Sequence, residues 1–100
     1  MIYFTQLIYI KPGREHVFHE FESLAIPLIA RYNGSLMLRL RPVESEIIER
    51  NISAPYEVHL VSFPTNQDFE NFMNDKDRKG FLHLKEDSIE SSMLIRGGQL

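Results

Sequence analysis

Residues 56–68 read Tyr56-Glu57-Val58-His59-Leu60-Val61-Ser62-Phe63-Pro64-Thr65-Asn66-Gln67-Asp68. Valine, leucine and aromatic residues dominate 56–63, which predicts a strand there. Pro64 removes a ladder donor and ends it. Thr65 to Asp68 then forms a capping box, in which the threonine oxygen and the aspartate carboxylate satisfy free amides at a helix start. Phe69, Phe72 and Met73 give that helix its apolar side. A strand that runs straight into a capped helix sets the pattern for the whole chain.

The same pattern opens the sequence. Residues 2–10 are β-branched and aromatic, and Lys11-Pro12-Gly13 stops them. Both faces of this strand are apolar, which predicts a central position with cover on each side. Helical spacing follows over 14–32, with Val17, Phe21, Leu24 and Leu28 on one stripe flanked by Phe18, Ala25 and Tyr32. Pro27 cannot donate to the carbonyl of Ser23, so a kink opening toward solvent is expected there. Asn33-Gly34 tolerates the left-handed backbone that ends a helix. Residues 35–41 alternate: Leu36, Leu38 and Leu40 on one side, Met37, Arg39 and Arg41 on the other. Residues 42–55 form a long acidic connection whose Ile47, Ile48 and Ile52 can extend a strand or cover a pocket. Beyond the second helix, Asp75 to Gly80 breaks the pattern, a short helical piece reaches about Ile89, and 91–96 reads as a last strand.

The order β-α-β-β-α-β predicts an α+β ferredoxin-like domain over 1–100, with a four-stranded antiparallel sheet. The bulk properties narrow the rest. Hydrophobic residues make up 43% of the chain, more than a small two-layer domain readily hides, so self-association is expected. The net charge of −3, with no basic stripe, disfavours nucleic acid as a partner. The absence of cysteine removes disulfides, thiolate nucleophiles and cysteine-bound metals. No apolar run approaches the roughly 20 residues of a membrane span, and the N-terminus lacks the marks of a signal peptide. A cytoplasmic protein is expected.

Several of these segments resemble the dimeric α/β-barrel superfamily. They are Ile10-Lys11-Pro12-Gly13, the helix broken by Pro27, Tyr32-Asn33-Gly34 followed by a strand with Arg39, and Glu57 to Pro64 followed by Phe69, Asp75 and Arg78. The resemblance covers nearly the whole chain and is strongest to an uncharacterised branch of domain-of-unknown-function proteins. It implies a homodimer formed through sheet faces. The superfamily also holds cofactor-free monooxygenases, haem-degrading enzymes, muconolactone isomerases and stress-responsive barrel proteins. Gln6 stands where haem-degrading members carry asparagine, so no haem site is carried over.

Strand parity defines the candidate site. With Leu36, Leu38, Leu40, Val58 and Leu60 assigned to the helix side, the opposite face shows Arg39, Arg41, Glu57, His59, Val61 and Phe63, joined by Phe4 and Gln6. That face is expected to meet the partner sheet and enclose a small-molecule pocket. His59 then serves as general base, Glu57 orients it and Arg39 binds an anionic oxygen, while Gln6, Arg41, Phe63 and Phe4 contact the ligand. The same residues equally suit a network of ion pairs that orders the interface. No cofactor and no metal site is expected: His16 and His19, with Glu15 or Glu20, lack a fixed third ligand. Arg78 is expected to cap carbonyls at the end of the second helix. Two functions follow: a cofactor-independent monooxygenase or isomerase, or a non-catalytic ligand-binding or stress-related dimer.

Overall fold

Local signals set the elements. In the computed structural model, which describes residues 1–100, β1 spans Ile2–Ile10 and Gly13 turns the chain with a φ of 81°. The first helix is split where proline demands it. α1 covers Glu15–Ala25 and α2 covers Pro27–Arg31, with the exposed Pro27 at the first turn of α2. Asn33 takes the left-handed backbone, φ 64°, and releases the chain into β2, Ser35–Leu40. A methyl group on Gly34 would stand 2.6 Å from Cε1 of Phe63 and 2.7 Å from Cγ2 of Ile29, so only glycine lets β2 leave the helix this close to the core.

β3 spans Glu57–Phe63 and α3 spans Asn66–Met73; between them Thr65 Oγ1 accepts from the Asp68 amide at 3.1 Å, half of the expected capping box. α4 (Lys76–Gly80), α5 (Leu82–Ser88) and β4 (Ile89–Gly97) complete the chain. The 42–55 connection holds one 3₁₀ turn at Glu44–Glu46. Its isoleucines neither extend a strand nor cover a pocket: Ile48 is fully exposed and Ile52 half exposed.

The four strands lie in the order β2-β3-β1-β4, antiparallel throughout, which is the ferredoxin-like arrangement. All helices cover one face. The result is a slab of 37 × 36 × 16 Å in which only 16 of 100 residues are buried. The core groups Phe4, Ile29 and Phe63, packed by Phe69, Phe72 and Val61.

Two expectations are corrected. The buried stripe of α1 is Val17, Phe18, Phe21, Glu22 and Ala25, while Leu24 is exposed. The helix is rotated toward Glu22 because Arg39 holds that carboxylate at 2.8 Å. The sheet faces are also reversed. Phe63 and Phe4 are in the core under the helices, so the face carrying Glu57, His59, Val61 and Phe63 is the helix-covered one, not the one open to a partner. The outer face instead presents two cross-strand rows, Leu40-Val58-Leu7-Met93 and Leu38-Leu60-Thr5-Ile95. The register of β2 shifts between Leu36 and Leu38, so Leu36, opposite Val61, packs into the core while Leu38 and Leu40 lie outside.

Candidate functional site

Cross-strand pairing assembles the site. On the helix-covered face, Arg39 lies opposite His59 and His59 opposite Gln6, and one step along Glu57 lies opposite Ile8. Directly opposed side chains in such rows start about 5 Å apart. α1 lays Glu22 across them from above.

Glu57 has no exposed surface and is the anchor of the cluster. It accepts from Nε of Arg39 at 3.1 Å and from Nε of Arg41 at 2.8 Å. Nε2 of His59 lies 2.5 Å from its Oε2. Arg39 spans both carboxylates, with its Nη2 donating to Oε1 of Glu22 at 2.8 Å. The remaining oxygen of Glu22, Oε2, lies 2.9 Å from Nε2 of His59. The shorter contact of this nitrogen is the one to Glu57, and Oε2 of Glu22 is buried without a hydrogen-bond partner.

The proton affinities follow from this geometry. Burial pushes the Glu22 carboxyl up, with the His59 ring 2.9 Å away opposing only in part. Burial pushes Glu57 up as well, but the N–H donors of His59, Arg39 and Arg41, with the Glu22 carboxyl beside them, outweigh it and hold the group down to about 2. Burial pulls His59 down, yet the neighbouring carboxyl groups of Glu22 and Glu57 win and raise it above its ordinary value. Two carboxyl groups in one cluster are thus driven in opposite directions, the usual sign of divided acid–base roles.

Glu22 and His59 of this cluster line a cavity of about 190 Å³ between sheet and helices. Most of the remaining lining is apolar, from Phe4, Phe18, Phe21, Phe63, Phe69 and Ile29 among others. Gln6 lines it as well. An apolar cavity of about 150 Å³ takes up benzene, so this one has room for a small aromatic or branched molecule.

The sequence-derived candidates therefore fall into two groups. Phe4, Gln6, His59 and Phe63 line the cavity. Arg39, Arg41 and Glu57 bind one another, with Arg41 also over the Tyr56 ring at 5.5 Å. Nε and Nη2 of Arg39 donate to Glu57 and Glu22, so this residue clamps the two carboxylates together. Glu22 was not singled out by sequence, although a glutamate beside Phe21 and four residues after Phe18, within the buried stripe, is the signal that marks it. His19 makes a 2.6 Å contact with the Tyr56 hydroxyl and no metal set with His16. Glu22, Glu57 and His59 do present ligand atoms within 4.8 Å of one another, as a metal site requires. A divalent cation there would have to displace Arg39 and the His59 proton and would add charge beside two arginines.

No family model matches the sequence, and no curated protein matches it. Solved structures do. A protein of unknown function from Rhodopseudomonas palustris superposes with a TM-score of 0.81 at 16% identity, over 99% of this chain and 82% of that one. A candidate antibiotic biosynthesis monooxygenase from Nitrosomonas europaea gives 0.75 at 14% identity, over 100% and 99%. A DABB family protein with a ferredoxin-like fold from Mesorhizobium loti gives 0.68 at 16% identity, over 99% and 96%. NIPSNAP proteins are similar too. The likeness is one of architecture: the chain has the ferredoxin-like α+β fold that these NIPSNAP, DABB and monooxygenase-like proteins share.

Proposed function

We propose that the chain works as a cytoplasmic homodimer that binds a small, mainly apolar molecule between sheet and helices. There it moves a proton without a cofactor, as an isomerase or a cofactor-independent monooxygenase. The observation that carries this reading is Oε2 of Glu22: buried, free of hydrogen bonds, and 2.9 Å from His59 at the wall of an apolar cavity.

The chemistry follows from the surroundings. A carboxylate raised by burial is a stronger base than one in water, and its proton affinity moves closer to neutral pH. Glu22 takes a proton from a carbon next to a carbonyl. The charge moves to the carbonyl oxygen, toward which the Gln6 amide can donate. His59, fixed by Glu57 and 2.9 Å from Glu22, steadies the Glu22 charge when its ring is protonated. Return of the proton to a different carbon completes an isomerisation. With dioxygen as co-substrate the carbanion is oxidised instead, a CH₂ group and O₂ giving a C=O group and water. The similarity to a candidate monooxygenase supports the second outcome. A cavity with a titrating pair in its wall favours both over a dimer that only stores a ligand.

The test uses 1-phenyl-2-propanone in heavy water, with exchange of its acidic C–H protons followed by NMR. The wild-type chain is expected to accelerate exchange over buffer, and Glu22→Gln to lose about 10²- to 10⁴-fold of that rate. No acceleration by the wild type, or an unchanged rate in the variant, refutes the proton-transfer role.

The dimer part of the reading rests on the outer sheet face. A slab 16 Å thick leaves Leu38 and Leu40 on one edge strand and Met93 and Ile95 on the other each 40–51% exposed, in rows joined across the sheet by Val58, Leu60 and Leu7. Such a patch on a small protein favours association. Light scattering is expected to give a dimer for the wild type and a folded monomer for Leu38→Glu with Ile95→Glu. A monomeric wild type rules this part out.

A further inference from the structure

The cavity lining also holds two cations. Arg78, on α4, and Lys85, on α5, both line the same cavity. Arg78 is only 8% exposed. Its Nη1 donates to the Met73 carbonyl at 3.3 Å, the expected cap on the end of α3, and its guanidinium lies 5.3 Å from the centre of the Phe72 ring. A guanidinium carries five N–H donors, and the others find no acceptor in the chain. Lys85, half-buried, makes neither a hydrogen bond nor an ion pair.

No carboxylate answers these two cations. Asp75, the acid of the neighbouring turn, spends its oxygens on the Tyr32 hydroxyl, Arg31 and the Arg78 backbone amide. Glu86 is exposed and attracts Lys85 only from a distance. Burial pulls the proton affinity of both side chains down, and Arg78 lowers Lys85 further by repulsion. A buried charge without a partner is costly. Arg78, nearly buried, and Lys85, half-buried, share one cavity lining with no carboxylate hydrogen-bonded to either side chain, and an anion arriving from outside relieves both.

We propose that Arg78 and Lys85 form an anion-binding end of this cavity, which takes the carboxylate of a small amphipathic acid whose apolar body lies among the phenylalanines. The inference rests on the ligand cavity of the proposed function but not on its proton chemistry. It adds a substrate class: an acid with a carbonyl-activated carbon, bound by its carboxylate at Arg78 and Lys85 with the rest of the molecule reaching toward Glu22. Arginine supplies the planar fork for two carboxylate oxygens, and lysine the point charge beside it.

Phenylacetate and phenylacetamide, nearly identical in shape and differing in charge, are the probes. Titration of each into the full chain, followed by NMR shifts, reads the two Kd values. Phenylacetate is expected to bind at least about tenfold more tightly than the amide, as a charge-assisted pair commands. Lys85→Met is expected to abolish that preference while leaving amide binding as it was, and Arg78→Gln to do the same. Should Arg78→Gln fail to fold for want of its cap, Lys85→Met decides alone. Equal affinities for acid and amide overturn the anion site and leave the cavity standing, as does a preference that survives Lys85→Met. If neither probe binds saturably, the anion site and the ligand cavity fall together.

Discussion

Glu57→Gln is expected to lower stability by about 3–5 kcal/mol, the cost of breaking a buried ion pair from one side. The carboxylate has no exposed surface and receives three donors, from Arg39, Arg41 and His59. Glutamine keeps the shape but turns an amide toward at least one of those donors. Arg39 and Arg41 are 37% and 48% exposed at their side chains, so water recovers part of their solvation and the lower end of the range applies.

The pH dependence gives the sharper reading. Glu57 is held down to about 2 from an ordinary value of 4.5, so its contribution is present above 4.5 and fades as the pH falls toward 2. Glu22 has the opposite sign. Its carboxyl is raised, so its ionisation in the folded chain costs stability as the pH rises above 4.5. His59 is also raised, and its contribution, complete below 6.5, is lost as the pH climbs through its folded value. Urea midpoints measured across the acid range therefore separate the two glutamates. The wild type loses stability steeply between about 4.5 and 2, and Glu57→Gln loses less of it. Parallel acid limbs in the two proteins would mean that Glu57 is not the anchor.

Phe63→Ala is expected to cost about 3–5 kcal/mol by denaturant unfolding. The ring is 1% exposed and sits among Phe4, Phe69 and Phe72, with centroids 6.5, 5.7 and 5.5 Å away. Nothing nearby is free to collapse into the space, since β2 is held at Gly34 against the same ring. Gly34 provides an internal check. Alone, Gly34→Ala overpacks the core and costs about 1–3 kcal/mol; in the Phe63→Ala background its methyl group enters vacated space and costs less. Additive effects, or a loss below about 1 kcal/mol for Phe63→Ala, would place the core elsewhere.

Much of the fold is written in short-range chemistry. Proline cannot continue a helix, so Pro27 splits the first one wherever the chain is placed. Asn33 and Gly34 supply a left-handed turn and a close approach. Thr65 and Asp68 satisfy a helix start from within four residues. These devices act over one turn of chain, and the element order and the ferredoxin-like sheet follow from them. The cluster of Arg39, Glu57 and His59 was legible too, because all three share one strand parity.

The direction in which that parity points was not. Alternation shows that two faces differ, but either face can be the covered one when both carry apolar side chains. Leucines at 38, 40 and 60 look like the inner face, while phenylalanines at 4 and 63 are the inner face in fact. The decision lies in contacts distant in sequence. Gly34 admits the Phe63 ring, and Glu22, 35 residues before Glu57, brings a second carboxylate to Arg39 over the covered face. A one-residue shift in β2 then moves Leu38 and Leu40 outside. By itself the sequence determined the strands, helices and turns of this protein and the polar set on β2 and β3. Only the tertiary structure decided that this set lies under the helices, with Glu22 above it and Arg78 and Lys85 in the lining of the same cavity, because a buried charge is placed by partners that pattern alone does not locate.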